Sequence, residues 1–148
     1  MYKHILIPTD GSELAGKAVS AGIDYARESG ARITFFTAVP EYQVPLASDV
    51  LARRAIVSLE EHERRSAEKA RAILAPALER ARTRGVDFDS DHALSDRPHQ
   101  AIVAAAERHG CDAIYMASHG RKGLAAAWYG SETREVLTHS KIPTVVLR

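Results

Sequence analysis

Two turn sequences, far apart in the chain, hold most of the groups able to do chemistry. One is Pro8-Thr9-Asp10-Gly11-Ser12 and the other Ala117-Ser118-His119-Gly120, and each directly follows an apolar run. The second continues through Arg121-Lys122-Gly123 to Gly130-Ser131-Glu132-Thr133, at the mouth of a helical pattern. Glycine lets a backbone approach an anion closely, and the free amides and positive dipole end of a helix N-terminus favour phosphate. The spacing therefore points to anion binding. Neither GxxxxGK[ST] nor a strand-borne GxGxxG occurs, so the standard phosphate-loop and dinucleotide motifs are missing. Ser118 and His119 are a nucleophile and a base by type, but sequence neighbours point their side chains apart and no Asp partner is evident. No catalytic residue is assigned, and His119 reads as a loop-shaping residue or a wall of the anion site. Arg121 and Lys122 fit two readings, neutralisation of distal phosphates or solvated loop cations. Asp10 is either a ligand group or an ordinary turn residue ahead of Ser12.

These turns need a scaffold, and the apolar pattern supplies one. His4-Ile5-Leu6-Ile7 is a run that stops at Pro8, as a strand buried on both faces would. Ser12 is a good N-cap for a helix carrying Leu14, Ala18, Ala21 and Tyr25 and stopped by Gly30. Gly16 and Gly22 weaken that helix and predict close packing on the sheet. A second strand covers 32–39, and residues 40–50 form the longest irregular connection. An amphipathic helix follows from about Leu51 to Arg84, interrupted by Pro76, where a kink is expected. Val86, Phe88, Ser90, His92 and Leu94 alternate with Asp87, Asp89, Asp91 and Ala93, a half-polar pattern that fits an edge strand. Asp96 and Pro98 open a helix that closes at Gly110, Ala113–Ala117 is a buried strand, Ser131 to about Ser140 a helix, and Pro143–Leu147 the last strand. The order βαβαβαβαβ argues for an α/β fold with an open parallel sheet and helices on both faces.

At 148 residues the chain is the size of one domain, and folding hides roughly two thirds of its surface. Twenty Lys and Arg against nineteen Asp and Glu give a net charge of +1, which argues against a dedicated nucleic-acid binder. The long helix carries i,i+4 pairs Glu60–Arg64 and Glu61–Arg65, a solvated face rather than a basic stripe. Cys111 is the single cysteine, which excludes intrachain disulfides and Cys-based zinc sites and reads as a small apolar filler. No apolar run approaches the roughly 20 residues that cross a bilayer, and the start lacks a signal-peptide pattern. A cytoplasmic location without membrane contact is expected. Leu124 to Tyr129 is an apolar stretch with two readings, a cover over a bound ligand or a partner surface, or packing against the sheet; packing is preferred, and Trp128 fits it least well.

Over essentially its whole length the chain resembles the universal stress proteins. His4 to Ser12 is similar to that family's first strand and turn. Ala117-Ser118-His119-Gly120, nine residues, then Gly130-Ser131 is similar to its Gly-x2-Gly-x9-Gly-Ser/Thr signature, and Ile142 to Leu147 to its closing strand. The resemblance implies a Rossmann-like, adenine nucleotide alpha hydrolase-like sheet of five strands in the order 3-2-1-4-5, dimerised through the last strand. It implies ATP, ADP or AMP, with Mg²⁺ carried by the nucleotide, lying across the ends of strands one and four. Asp10 would then hold the ribose, Pro8 and Thr9 would line the adenine side, and the Val39 backbone would read adenine. Met116, Ala117, Gly120, Gly130, Ser131 and Glu132 would cradle the phosphates, the Ser131 hydroxyl adding a donor. Ala117 departs from the family's first motif glycine, which matters only if its φ is positive.

The preferred reading is an adenine-nucleotide-binding stress-response or regulatory protein, homodimeric, with an unidentified protein partner. Nucleotide occupancy would order the 40–50 and 120–130 loops. Two alternatives stand beside it. Slow ATP hydrolysis has Arg121 or Lys122 for charge but no convincing base, and a nucleotide-independent dimeric interaction module would not need Gly120, Gly130 and Ser131.

Overall fold

The computed structural model describes residues 1–41, 49–118 and 129–148, with backbone alone for 49–59 and 129. The elements follow the expected order. They are β1 (His4–Pro8), α1 (Glu13–Ser29), β2 (Arg32–Val39), α2 (Asp49–Thr83), β3 (Phe88–Leu94), α3 (Pro98–Arg108), β4 (Ala113–Ala117), α4 (Tyr129–His139) and β5 (Thr144–Leu147). All pairings are parallel and the sheet order is β3-β2-β1-β4-β5. Helices α1 and α2 pack on one face, α3 and α4 on the other. The core is the two-sided apolar content of the central strands, with Ile5, Leu6, Ile7, Phe35, Phe36, Ile114 and Met116 fully buried.

One residue shapes the middle of this sheet. Arg32 N–H donates to Lys3 O and Thr9 N–H to Phe36 O, so the odd-numbered residues of β1 face β2 and the even-numbered ones face β4. Pro8 falls on the β4 side and has no N–H to give. The ladder from β1 to β4 accordingly stops at Leu6↔Ile114, while the one to β2 runs on through Pro8↔Phe36. This is also the line where the strand order reverses, the place where ligands bind in open α/β sheets. At the other end of the same seam Asp112 accepts from the amides of Lys3 (2.9 Å) and His4 (3.0 Å). Burial pushes the Asp112 carboxyl up, but those bonds outweigh it and hold the group below its usual range.

Several local details differ from the sequence reading. Only Gly22 packs closely on the sheet; Gly16 instead faces Arg80 of α2. Asp96 does not cap α3. Its carboxylate accepts from Glu41 N–H at 3.0 Å, and the N-cap is Arg97, which makes no side-chain bond. Helix α4 begins two residues early, at Tyr129, so Gly130 and Ser131 sit inside its first turn. Strand β3 is the expected edge, yet its aspartates do not simply meet solvent. Asp89 accepts from the Thr34 hydroxyl (2.6 Å) and Arg32 (2.9 Å), and Asp91 from Arg108 (2.5 Å) and His109 (2.8 Å). Burial raises the Asp91 carboxyl, but the His109 and Arg108 bonds outweigh it and leave it below the usual carboxylate range.

Thr34 gives its single proton to Asp89, so the 2.7 Å contact with His4 Nε2 requires His4 to donate. Cys111 is buried beside them, and burial pushes its thiol up to about 12. A thiol so held is no nucleophile at neutral pH, which fits its reading as a filler. Of the two helix pairs, Glu61–Arg65 stands at 3.8 Å on an exposed face, where it adds little stability. Among the described residues no helix is long and apolar enough to cross a membrane.

Candidate functional site

Strand β1 runs out into a turn that is held by its own side chains. The Thr9 hydroxyl accepts from Gly11 N–H (3.1 Å) and Asp10 Oδ1 from Ser12 N–H (2.9 Å), while the Ser12 hydroxyl accepts from Ala15 N–H (3.1 Å) as the cap of α1. Gly11 supplies the φ of +80° that the turn demands and that a side chain would strain. Asp10 is therefore a turn residue, as the simpler reading had it, but only one of its oxygens is spent. Among the described residues nothing pairs with Oδ2, and the side chain is half-buried.

Across the seam, β4 ends in Met116 and Ala117, both fully buried. Ala117 is an extended strand residue, so its methyl costs the backbone nothing. Its carbonyl accepts from the buried Thr133 hydroxyl at 2.9 Å, which pins α4 to the strand end. Gly130 and Ser131 are exposed in the first turn of α4, where helix amides lack intrahelical partners. Val39 ends β2 with its carbonyl accepting from Ser95 N–H at 2.8 Å, so one lone pair of the proposed adenine reader belongs to the sheet.

Glu132 is placed unexpectedly. Its Oε2 accepts from His99 N–H (2.7 Å) and His99 Nδ1 (2.9 Å), so the carboxylate is turned to α3 rather than held out as a phosphate contact. His119, Gly120, Arg121, Lys122 and the apolar stretch through Trp128 lie outside the described residues, as do 42–48 of the first loop.

Two concavities border the strand ends. A groove of about 590 Å³ between α1 and α2 is lined by Thr9, Gly11, Ser12, Lys17 and Arg80, and one of about 290 Å³ by Val39, Pro40, Ser66 and Lys69. Sequence reasoning missed Thr133 and His99 as residues that shape the site. Thr133 carried a signal, a β-branched hydroxyl two residues after Ser131, whereas His99 carried none because its partner is 33 residues away. Among the described residues no group of three or more His, Cys, Asp or Glu could hold a metal. The arrangement can hold an anion at α4 and a hydroxyl at Asp10.

A model of the universal stress protein family matches residues 1–148. A universal stress protein of Thermus aquaticus is 31% identical over 152 residues and one of Bacillus subtilis 29% over 153, with all of each chain covered. The solved structure of MJ0577, a universal stress protein of Methanocaldococcus jannaschii, has a TM-score of 0.77 at 24% identity, covering 99% of this chain and 96% of that one. A universal stress protein solved in complex with cAMP has a TM-score of 0.70 at 23% identity, covering 99% and 97%.

Proposed function

The chain belongs to the universal stress protein family, and from that premise we propose that it binds an adenine nucleotide at the ends of β1 and β4. One observation carries the reading. The Asp10 turn ends β1, and Thr133 ties the exposed Gly130–Ser131 turn of α4 to the end of the neighbouring β4, at the line where the sheet order reverses. In support, family members have been solved with cAMP, with dAMP (from Archaeoglobus fulgidus) and with AMP (from Arabidopsis thaliana).

In this reading Asp10 Oδ2 accepts from a ribose hydroxyl, Pro8 and Thr9 line the adenine side, and Val39 offers its carbonyl's second lone pair to the base. Gly130 and Ser131 give backbone amides and one hydroxyl to the phosphates, with Gly120, His119, Arg121 and Lys122 completing the cradle. Met116 and Ala117 serve by carrying the strand end. ATP with its Mg²⁺ is the preferred ligand, and the ligand state of a regulatory, stress-response protein in the cytoplasm is the output. Protein as purified, once denatured and chromatographed, is expected to release adenine nucleotide, and stripped protein to bind ATP calorimetrically at one site per chain. No released nucleotide and no heat with millimolar ATP would sink the reading.

The homodimer belongs to the same proposal, through the free edge of β5. Ile114 N–H donates to Pro143 O and Ser118 N–H to Leu147 O, so residues 143, 145 and 147 face β4, and Thr144 and Val146 carry the outward amides. Val146→Pro, which removes one outward donor, is expected to turn a dimer into a monomer by light scattering. A Val146→Pro protein that stays dimeric places the interface elsewhere.

A further inference from the structure

We propose that His99 is a positioning residue for the phosphate-binding turn: by clasping Glu132 it fixes the start of α4 and keeps that carboxylate off the bound anion. The inference rests on the adenine-nucleotide reading above and extends it to a residue on a different helix.

Glu132 directly follows Ser131 in the first turn of α4. A carboxylate there, left to itself, would lean toward the same amides that are to receive phosphate, because the dipole end of the helix attracts any anion. It is instead held by two bonds on one oxygen, Oε2, from the His99 amide at 2.7 Å and from Nδ1 at 2.9 Å. A carboxylate can only accept, so Nδ1 carries a proton. Both side chains are only 18% exposed, which shields the pair from competing water.

The clasp also completes α3. Pro98 has no N–H, and Arg97 provides no side-chain cap, so the His99 amide would lack a partner within its own helix. Glu132 supplies the missing acceptor from another helix. The next residue, Thr133, bonds the Ala117 carbonyl. Consecutive residues thus tie the first turn of α4 to α3 and to β4, which leaves the Gly130 and Ser131 amides a fixed direction. The far face of the His99 ring stacks on His139 (centroids 6.0 Å apart, planes 28°), and His139 in turn meets Glu135 at 3.1 Å.

The test compares ATP with adenosine, which lacks the phosphates. His99→Ala is expected to weaken ATP by about tenfold, the size of one charge-assisted hydrogen bond. Adenosine, which does not reach α4, should change by less than about twofold, where a merely structural loss would weaken both. Glu132→Gln should keep ATP affinity, because its single amide oxygen can accept both His99 bonds, and His99→Asn should restore it through the side-chain amide. The inference is overturned if His99→Ala binds ATP as the parent does, if it loses ATP and adenosine equally, or if Glu132→Gln is as weak as His99→Ala. Parent protein that binds no ATP overturns the nucleotide reading itself, before any variant is compared.

Discussion

Ser131→Glu is expected to lower ATP affinity about a hundredfold or more while leaving the melting temperature unchanged or slightly raised. The two effects separate because they draw on the same dipole in opposite ways. A carboxylate in the first turn of α4 is favourable to the helix by roughly 0.3–1 kcal/mol. Toward a bound polyphosphate it is a like charge, and two such charges about 5 Å apart at an effective dielectric of about 20 repel by roughly 3 kcal/mol. Ser131 is exposed, so the larger side chain meets no packing barrier. Calorimetric titration beside a thermal melt reads both numbers. Parent-like ATP binding in this variant would remove the phosphates from α4.

The second large effect concerns the scaffold. Gly22 lies on the buried face of α1, directly over β1. A Cβ built there would run into the Ile7 Cδ1 methyl and come within 3.2 Å of Ile7 Cγ1 and 3.5 Å of Ile5 Cδ1. Both isoleucines are fully buried, so the Ile7 Cδ1 end can turn aside for one added methyl but the surrounding core leaves little room for the two more that Val brings. Gly22→Val should therefore destabilise the fold by about 3 kcal/mol through overpacking. For a chain of this length that lowers the melting temperature by on the order of 10 °C. Gly22→Ala is the internal control. It gains about 1 kcal/mol of helix propensity against the displacement of one methyl, so its net change should stay within about 1 kcal/mol. A denaturant melt in which Gly22→Val matches the parent would show that α1 does not bear on β1 as described.

The sequence made the scaffold legible because its signals are local. The Ser12 cap, the unbroken apolar runs of β1 and β4 and the half-polar edge of β3 each name their element without reference to the rest of the chain. What was not legible depends on groups that meet only in space. Asp96 carries every mark of a helix cap and caps nothing, because the Glu41 amide reaches it first. Glu132 carries every mark of a phosphate-site residue and is engaged by His99. Helix α4 starts two residues before Ser131 because the tertiary fold recruits Tyr129 and Gly130, weak helix formers that give no local signal. In β5 the side-chain alternation says which face each residue takes, but not which way its amide points. Only the bonds to Ile114 and Ser118 identify Thr144 and Val146 as the outward donors.

The missing amide of Pro8 has a mechanical meaning. β1 is in register with β2 over all five of its residues but with β4 over only two, and the Asp112 carboxylate rivets the far end of that junction. The sheet is thus two stiff leaves, β3-β2-β1 and β4-β5, joined like a book whose spine is stitched at one end. Local opening follows the weakest cohesion, so amide exchange along this seam is expected to be faster toward Thr9 and Ala117 than at the Asp112 end. Whatever spans those two strand ends becomes a second stitch.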